Sequence, residues 1–349
     1  MPVKESWLQQ VREGPIDPDL QIIDAHHHLW FASAEPVRRT YDYGVDDYVR
    51  DATAGHRIVA SVAVECRMQP STAGPEHLWP ISETAWLAGL AEGHARQTSA
   101  IPRVALGIVA YADLQLGERV DEVLQAHRAV APTRLRGIRQ ISTSNDDPAV
   151  VGRSQIGPPG RLLDPAFRQG FARLAAHGLS YDAWLYHPQL AELVDLARAF
   201  PGTTIVLDHL GAPLGAGRYA ERPREVFTEW RDSLRELARC ENVYLKLGGS
   251  TMHMFGFGWE HRPKPPTSDD LVAATRHFYL SAIEIFSPSR CMFESNFPVD
   301  KERCSSVVLW NSFKKIAAGF TPDERADLFM NTAARAYRIE PGQEPRAVE

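Results

Sequence analysis

Short apolar runs rich in β-branched residues recur along the chain, separated by longer stretches in which apolar residues return every third or fourth position. The runs QIIDAHHH (21–28), RIVASVAVEC (57–66), RVALGIVAY (103–111), RLRGIRQIS (134–142), LSYDAWLYH (179–187), TTIVLDHLG (203–211), NVYLKLGG (242–249) and RCMFESNFP (290–298) read as strands. Between them, SETAWLAGLAEGHARQ, DPAFRQGFARLAAHG, HPQLAELVDLARAF and SLRELARC carry the helical period. In TPDERADLF, Thr321 is placed to cap a last helix, with Pro322 at its first position and Glu324 completing a capping box. Strands alternating with helices in this way predict a parallel (β/α)8 barrel of the TIM type, with a doubly wound open sheet as the alternative.

The joints sharpen the prediction. Those entering strands are tight (HG, PGT, CEN, SPS), whereas those leaving them are long: RMQPSTAGPEHLWP after the second strand, TSNDDPAVVGRSQIGPPGRLL after the fourth, STMHMFGFGWEHRPKPPTS after the seventh. Long loops in a compact fold are usually functional, and in a barrel they collect at the carboxyl ends of the strands. The expected organisation is one domain over 1–349, with the barrel at about 21–338, an extension over 1–20 and a frayed tail over 339–349. Trp79, Phe255, Phe257 and Trp259 in the long loops suggest either an aromatic lid or packing on the rim.

Composition excludes several classes of function. With 44% hydrophobic and 23% charged residues the 349-residue chain can build a core. A net charge of -6 argues against nucleic acid as a partner. No stretch is apolar enough to cross a membrane, and MPVKESWLQQ lacks the apolar core of a signal peptide, so the expected location is the cytoplasm. Cys66, Cys240, Cys291 and Cys304 form no CxxC pair, which removes a thiolate metal site. What remains is a small-molecule substrate, in a monomer or a homo-oligomer.

Four histidines are placed to meet at one mouth. Alternation along a strand puts His26 and His28 on one face and His27 on the other. His187 closes the fifth run and His209 the sixth, while His253 and His261 lie in a loop long enough to reach the site. An HxH pair at a strand end can chelate a cation or offer two hydrogen-bonding groups to one oxygen. Asp24, Glu65, Asp208, Glu294 and Asp300 are the carboxylates at strand ends. Alternation places Glu294 on the same face as Asn296, where a buried carboxylate needs a partner or a cation. Lys246 and Arg139 are the candidate cations, with a structural salt bridge inside the barrel as the alternative.

IIDAHHHLW, LDHLGAP, VYLKLGG and RCMFESNFPVD resemble, in order and spacing, the strand-end motifs of the amidohydrolase-2 family, hydrolases with a TIM barrel and with or without a metal. The likeness spans residues 21 to 338 and is nearest to the branch of sugar and 2-pyrone-4,6-dicarboxylate lactonases. It implies catalytic roles for His26, His28, His187 and His209 and substrate contacts from Arg139 and Lys246, while Glu294 and Asn296 as catalytic candidates and Glu65 as a substrate contact join them from their places at the strand ends. It also implies either a divalent metal, Zn or Mn, on His26, His28 and His187, or none. One departure stands out: the family commonly ends its eighth strand with a GSDWP-like segment whose Asp is base or ligand, and this chain has ESNFP. Asn296 takes no proton at neutral pH, so the base moves to Glu294 or to a histidine.

The expected reaction is hydrolysis of a carboxylated or sugar-derived lactone, or a related cyclic ester. His26, His28 and Lys246 would polarise the carbonyl, Arg139 would hold a substrate carboxylate, and His187, His209 or Glu294 would move protons. The alternatives are a non-oxidative decarboxylase or hydratase of an aromatic or dienoic acid, and a barrel that binds small molecules without turnover.

Overall fold

The computed structural model describes residues 4–32, 39–68, 70–97, 102–152, 157–340 and 342. Most of the tail expected over 339–349 lies outside them. Eight parallel strands pair in sequence order: β1 (Gln21–His27), β2 (Arg57–Val64), β3 (Arg103–Ala110), β4 (Leu135–Arg139), β5 (Ser180–Ala183), β6 (Ile205–Leu207), β7 (Val243–Leu247) and β8 (Cys291–Phe293). A helix follows each strand, in turn Val45–Ala52, Ile81–Gln97, Val120–Val130, Pro165–Ala176, Leu190–Ala199, Pro223–Ala238, Ser268–Phe286 and Ser306–Ile316. The fold is a TIM barrel, and the open sheet is discarded. No helix among the described residues is long and apolar enough to cross a membrane.

The ring closes beyond the end of β8. The Asn296 N–H donates to the His26 carbonyl at 2.8 Å and the His28 N–H to the Phe297 carbonyl at 2.7 Å, so residues 296–297 run beside β1. Asp24 locks this seam, accepting from the Ser295 N–H at 2.8 Å, the Ser295 hydroxyl at 2.6 Å and the Tyr48 hydroxyl at 3.1 Å. Its role is structural.

Inside the ring, Ile23, Val59, Val62, Leu106, Val206 and Met292 form an apolar floor. Ala333, Ala336 and Tyr337, from the last helix Thr332–Tyr337, plug it from the amino end of the strands. The capping box predicted at Thr321 and Glu324 is present and opens a short helix, Pro322–Ala326.

β5, β6 and β8 end furthest short of their apolar runs. His209, Leu210 and Ala212 take positive φ (53°, 59° and 37°), as does Asn296 (52°), and a chain in the left-handed region has left the sheet. His187 opens a short 3-10 turn of its own. The histidines of the fifth and sixth runs therefore stand on turns just past β5 and β6.

Candidate active site

Polar side chains collect above the apolar floor. His26 and His28 share a face, with their Nε2 atoms 3.2 Å apart, while His27 points outward, stacks on Tyr48 at 3.9 Å and meets the Ser61 hydroxyl at 3.0 Å. Glu294 stands between two imidazoles: Oε1 lies 2.6 Å from His209 Nδ1 and Oε2 lies 3.0 Å from His26 Nδ1. The rings of His26 and His209 are 4.6 Å apart. None of His26, His28, His209 and Glu294 is more than 5% exposed, so the cluster lies almost out of reach of bulk water.

The direction of one hydrogen-bond chain follows from its ends. A carbonyl oxygen only accepts, so His28 donates Nδ1–H to Val64 at 2.8 Å. Burial and the nearby Arg139 hold the His28 imidazole well below its ordinary range, so it is neutral and its Nε2 accepts. His26 is neutral as well, lowered by burial and by Lys246. His26 Nδ1 lies between the Lys246 ammonium at 3.1 Å and Glu294 Oε2 at 3.0 Å, and its Nε2 between His28 Nε2 at 3.2 Å and the Arg139 guanidinium at 3.4 Å, so each ring nitrogen faces one donor and one acceptor.

Ion pairs surround this chain. Lys246, fully buried, lies 2.7 Å from Asp182 and 3.0 Å from Asp208, and these carboxylates with Glu294 raise its proton affinity against the effect of burial. Burial pushes Asp182 up to about 6 despite Lys246, and the Tyr337 hydroxyl donates to it at 2.7 Å. Arg139 donates Nε–H to Glu65 at 2.8 Å and a second N–H to the Glu65 carbonyl, and its Nη1 lies 3.6 Å from Asp208. Its fork of donors, expected to clamp a substrate carboxylate, is thus engaged by Glu65. Burial raises the proton affinity of Glu294, but His209 and His26 overcome it and hold the group down at about 2.

The remaining expected site residues are more dispersed. His187 accepts from the Leu214 N–H at 3.2 Å and contacts Tyr219 and Glu229, none of which belongs to the cluster. Where His26, His28 and His187 were expected as metal ligands, the described residues bring together His26, His209 and Glu294, with donor atoms all within 4.8 Å of one another. The left-handed backbone at Asn296 breaks the alternation that was to align it with Glu294, and its amide donates to Asp300 at 3.3 Å. His253 holds the Val150 carbonyl at 2.9 Å and so ties the seventh loop to the fourth. Phe255 and Trp259 are buried in the core and Trp79 bonds Gly74 within its own loop, so these aromatic residues pack on the rim.

Three contributors escaped the sequence reading. Asp182 lies within an aromatic strand, where only its inward parity could have flagged it. The other two are glycines. A Cβ on Gly248 would press on Glu294 Cγ and lie 2.6 Å from the Glu294 carbonyl oxygen, and one on Gly249 (φ +67°) would lie 2.6 Å from His209 Nδ1. The GG of LKLGG therefore makes room for both groups. Gly248→Ala is expected to displace Glu294 and lower kcat by about 10²-fold, with the fold intact by circular dichroism. Kinetics on any confirmed substrate check this.

The amidohydrolase family model matches residues 23–339. An uncharacterised protein of Sinorhizobium fredii is 33% identical over 339 residues, covering 92% of this chain and 99% of its own. An L-fucono-1,5-lactonase of Burkholderia multivorans is 30% identical over 337 residues, covering 91% of this chain and 96% of its own. A solved amidohydrolase from Burkholderia multivorans with bound zinc superposes with a TM-score of 0.69 at 26% identity, covering 92% of this chain and 100% of that one. A match that starts within β1 and takes in every strand and the whole buried cluster makes this chain a member of the amidohydrolase family.

Proposed function

We propose that the protein hydrolyses a lactone, opening the ring to a hydroxy acid. The observation that carries the reading is the His26–Glu294–His209 cluster, closed inside the barrel of a family that has an L-fucono-1,5-lactonase among this chain's relatives.

The donor set suits a divalent cation in number and type, and Glu294 Oε2 is a buried oxygen without a hydrogen bond among the described residues. His26, His209 and Glu294 would hold the ion, which when bound polarises a carbonyl and makes a neighbouring water more acidic. The chain's own groups do the rest. Lys246 and Arg139, one beside each nitrogen of the His26 ring, place positive charge near the oxyanion as it forms.

A proton acceptor should have an affinity near the working pH. Glu294, held at about 2, is too weak a base and serves to position the two imidazoles. Asp300 fits better: burial pushes it up to about 7, against the pull of His209 and Arg303 and a hydrogen bond from Thr251, with Glu294 adding to the rise. Asn296, at the position where the family commonly has Asp, hands on to Asp300 through its amide. Asp300 takes the proton of the attacking water, hydroxide oxygen bonds to the carbonyl carbon, the ring C–O bond breaks, and the proton passes to the departing alkoxide.

A panel of γ- and δ-lactones with product identification by mass tests the reading. Ring opening with uptake of one water supports it. Release of carbon dioxide from aromatic acids, with no lactone opened, overturns it.

A further inference from the structure

The strongest cation inside the mouth is already matched, since Glu65 engages Arg139. Two other arginines at the same strand end have no such partner. Arg67 is the first half-buried residue after the buried Glu65 and Cys66, and takes a left-handed backbone (φ 62°). Its own N–H donates to Glu65 Oε2 at 3.1 Å, and its guanidinium lies 4.0 Å over the Tyr111 ring. Arg39, from the loop after β1, donates to the Cys66 carbonyl at 2.9 Å and lies 4.6 Å over Trp30, which itself stacks on His28.

The Arg39 guanidinium is thus held on Cys66 and the Arg67 backbone on Glu65, and each guanidinium lies over an aromatic ring. A guanidinium over an aromatic ring keeps N–H donors for a carboxylate. Among the described residues neither arginine forms an ion pair with a carboxylate, and Arg39 Nε is buried without a hydrogen bond. Arg218 and Arg303, by contrast, are paired with Asp146 and with Glu260 and Glu302. Two unmatched, immobilised arginines beside the ion-paired mouth of a chain with net charge -6 are poised for an anion.

We propose that Arg39 and Arg67 bind a carboxylate of the substrate, so that the ring opened at the His26 cluster carries an acidic substituent. This rests on the lactone reading and narrows it to anionic lactones. It also moves carboxylate recognition from Arg139 to the rim, the first part of the mouth an incoming molecule meets.

The test compares δ-valerolactone with its ring carboxylate, 6-oxotetrahydropyran-2-carboxylate. The wild type is expected to prefer the carboxylate in kcat/KM. In Arg67→Gln and Arg39→Gln that preference ratio should fall by at least about tenfold, mainly through KM, with Arg67→Lys recovering part of it. An unchanged ratio in both variants overturns the proposal, as does a wild type that shows no preference. If the wild type opens neither lactone, the hydrolytic reading has failed separately. Calorimetric titration with the same carboxylated lactone then decides the arginine site: binding weakened by at least about tenfold in both variants supports it, and equal affinities or no binding to the wild type overturn it.

Discussion

Glu294→Gln is expected to lower kcat by at least about 10²-fold with little change in KM, because the carboxylate acts on the geometry of two imidazoles and leaves the binding surface alone. A glutamine fills the same space and can still accept from His209 Nδ1. It carries no charge, however, and loses what draws His26 and His209 together at 3.0 Å and 2.6 Å. It also removes one of three carboxylates that keep Lys246 protonated. Thermal melting of the variant, run beside the kinetics, separates lost function from lost fold. A kcat within about threefold of the wild type would remove Glu294 from the mechanism.

Asp300→Asn is expected to cost between about 10² and 10⁴ in kcat, the range for loss of a positioned base. The pH dependence adds a sharper signature. The carboxylate is the active form and its affinity stands at about 7, so kcat of the wild type should rise as pH passes through 7 and level off above it. Burial sets that midpoint first, and His209, Arg303, Thr251 and Glu294 adjust it. In Asp300→Asn the residual rate should lose this limb. A variant that keeps both the rate and the limb would show that the proton goes elsewhere.

Much of the architecture was legible in the chain. Strand alternation alone put His26 and His28 on one side and His27 on the other, because the side-chain period of a strand holds as long as the backbone stays extended. It failed where the backbone turned: Asn296, at φ 52°, left the face it would have shared with Glu294, and His187 opened a turn whose contacts run to Leu214, Tyr219 and Glu229. Pairings across the ring were equally out of reach. Glu65 and Arg139 were both recognisable as charges at strand ends, yet their contact depends on the stagger of β2 against β4, which no local pattern encodes. Asp182 and the Tyr337 that donates to it are 155 positions apart and meet only because the last helix plugs the barrel. Gly248 and Gly249 read as a turn, and their second role, room for Glu294 and His209, is visible only in three dimensions.

The decisive measurement is base uptake at constant pH as the purified protein is mixed with an anionic δ-lactone. The wild type should consume one equivalent of hydroxide for each ring opened, and Glu294→Gln should take up base at least about 10²-fold more slowly. Equal consumption by the two proteins, or none by either across the lactone panel, would contradict water attack directed by the buried imidazoles and their shared carboxylate.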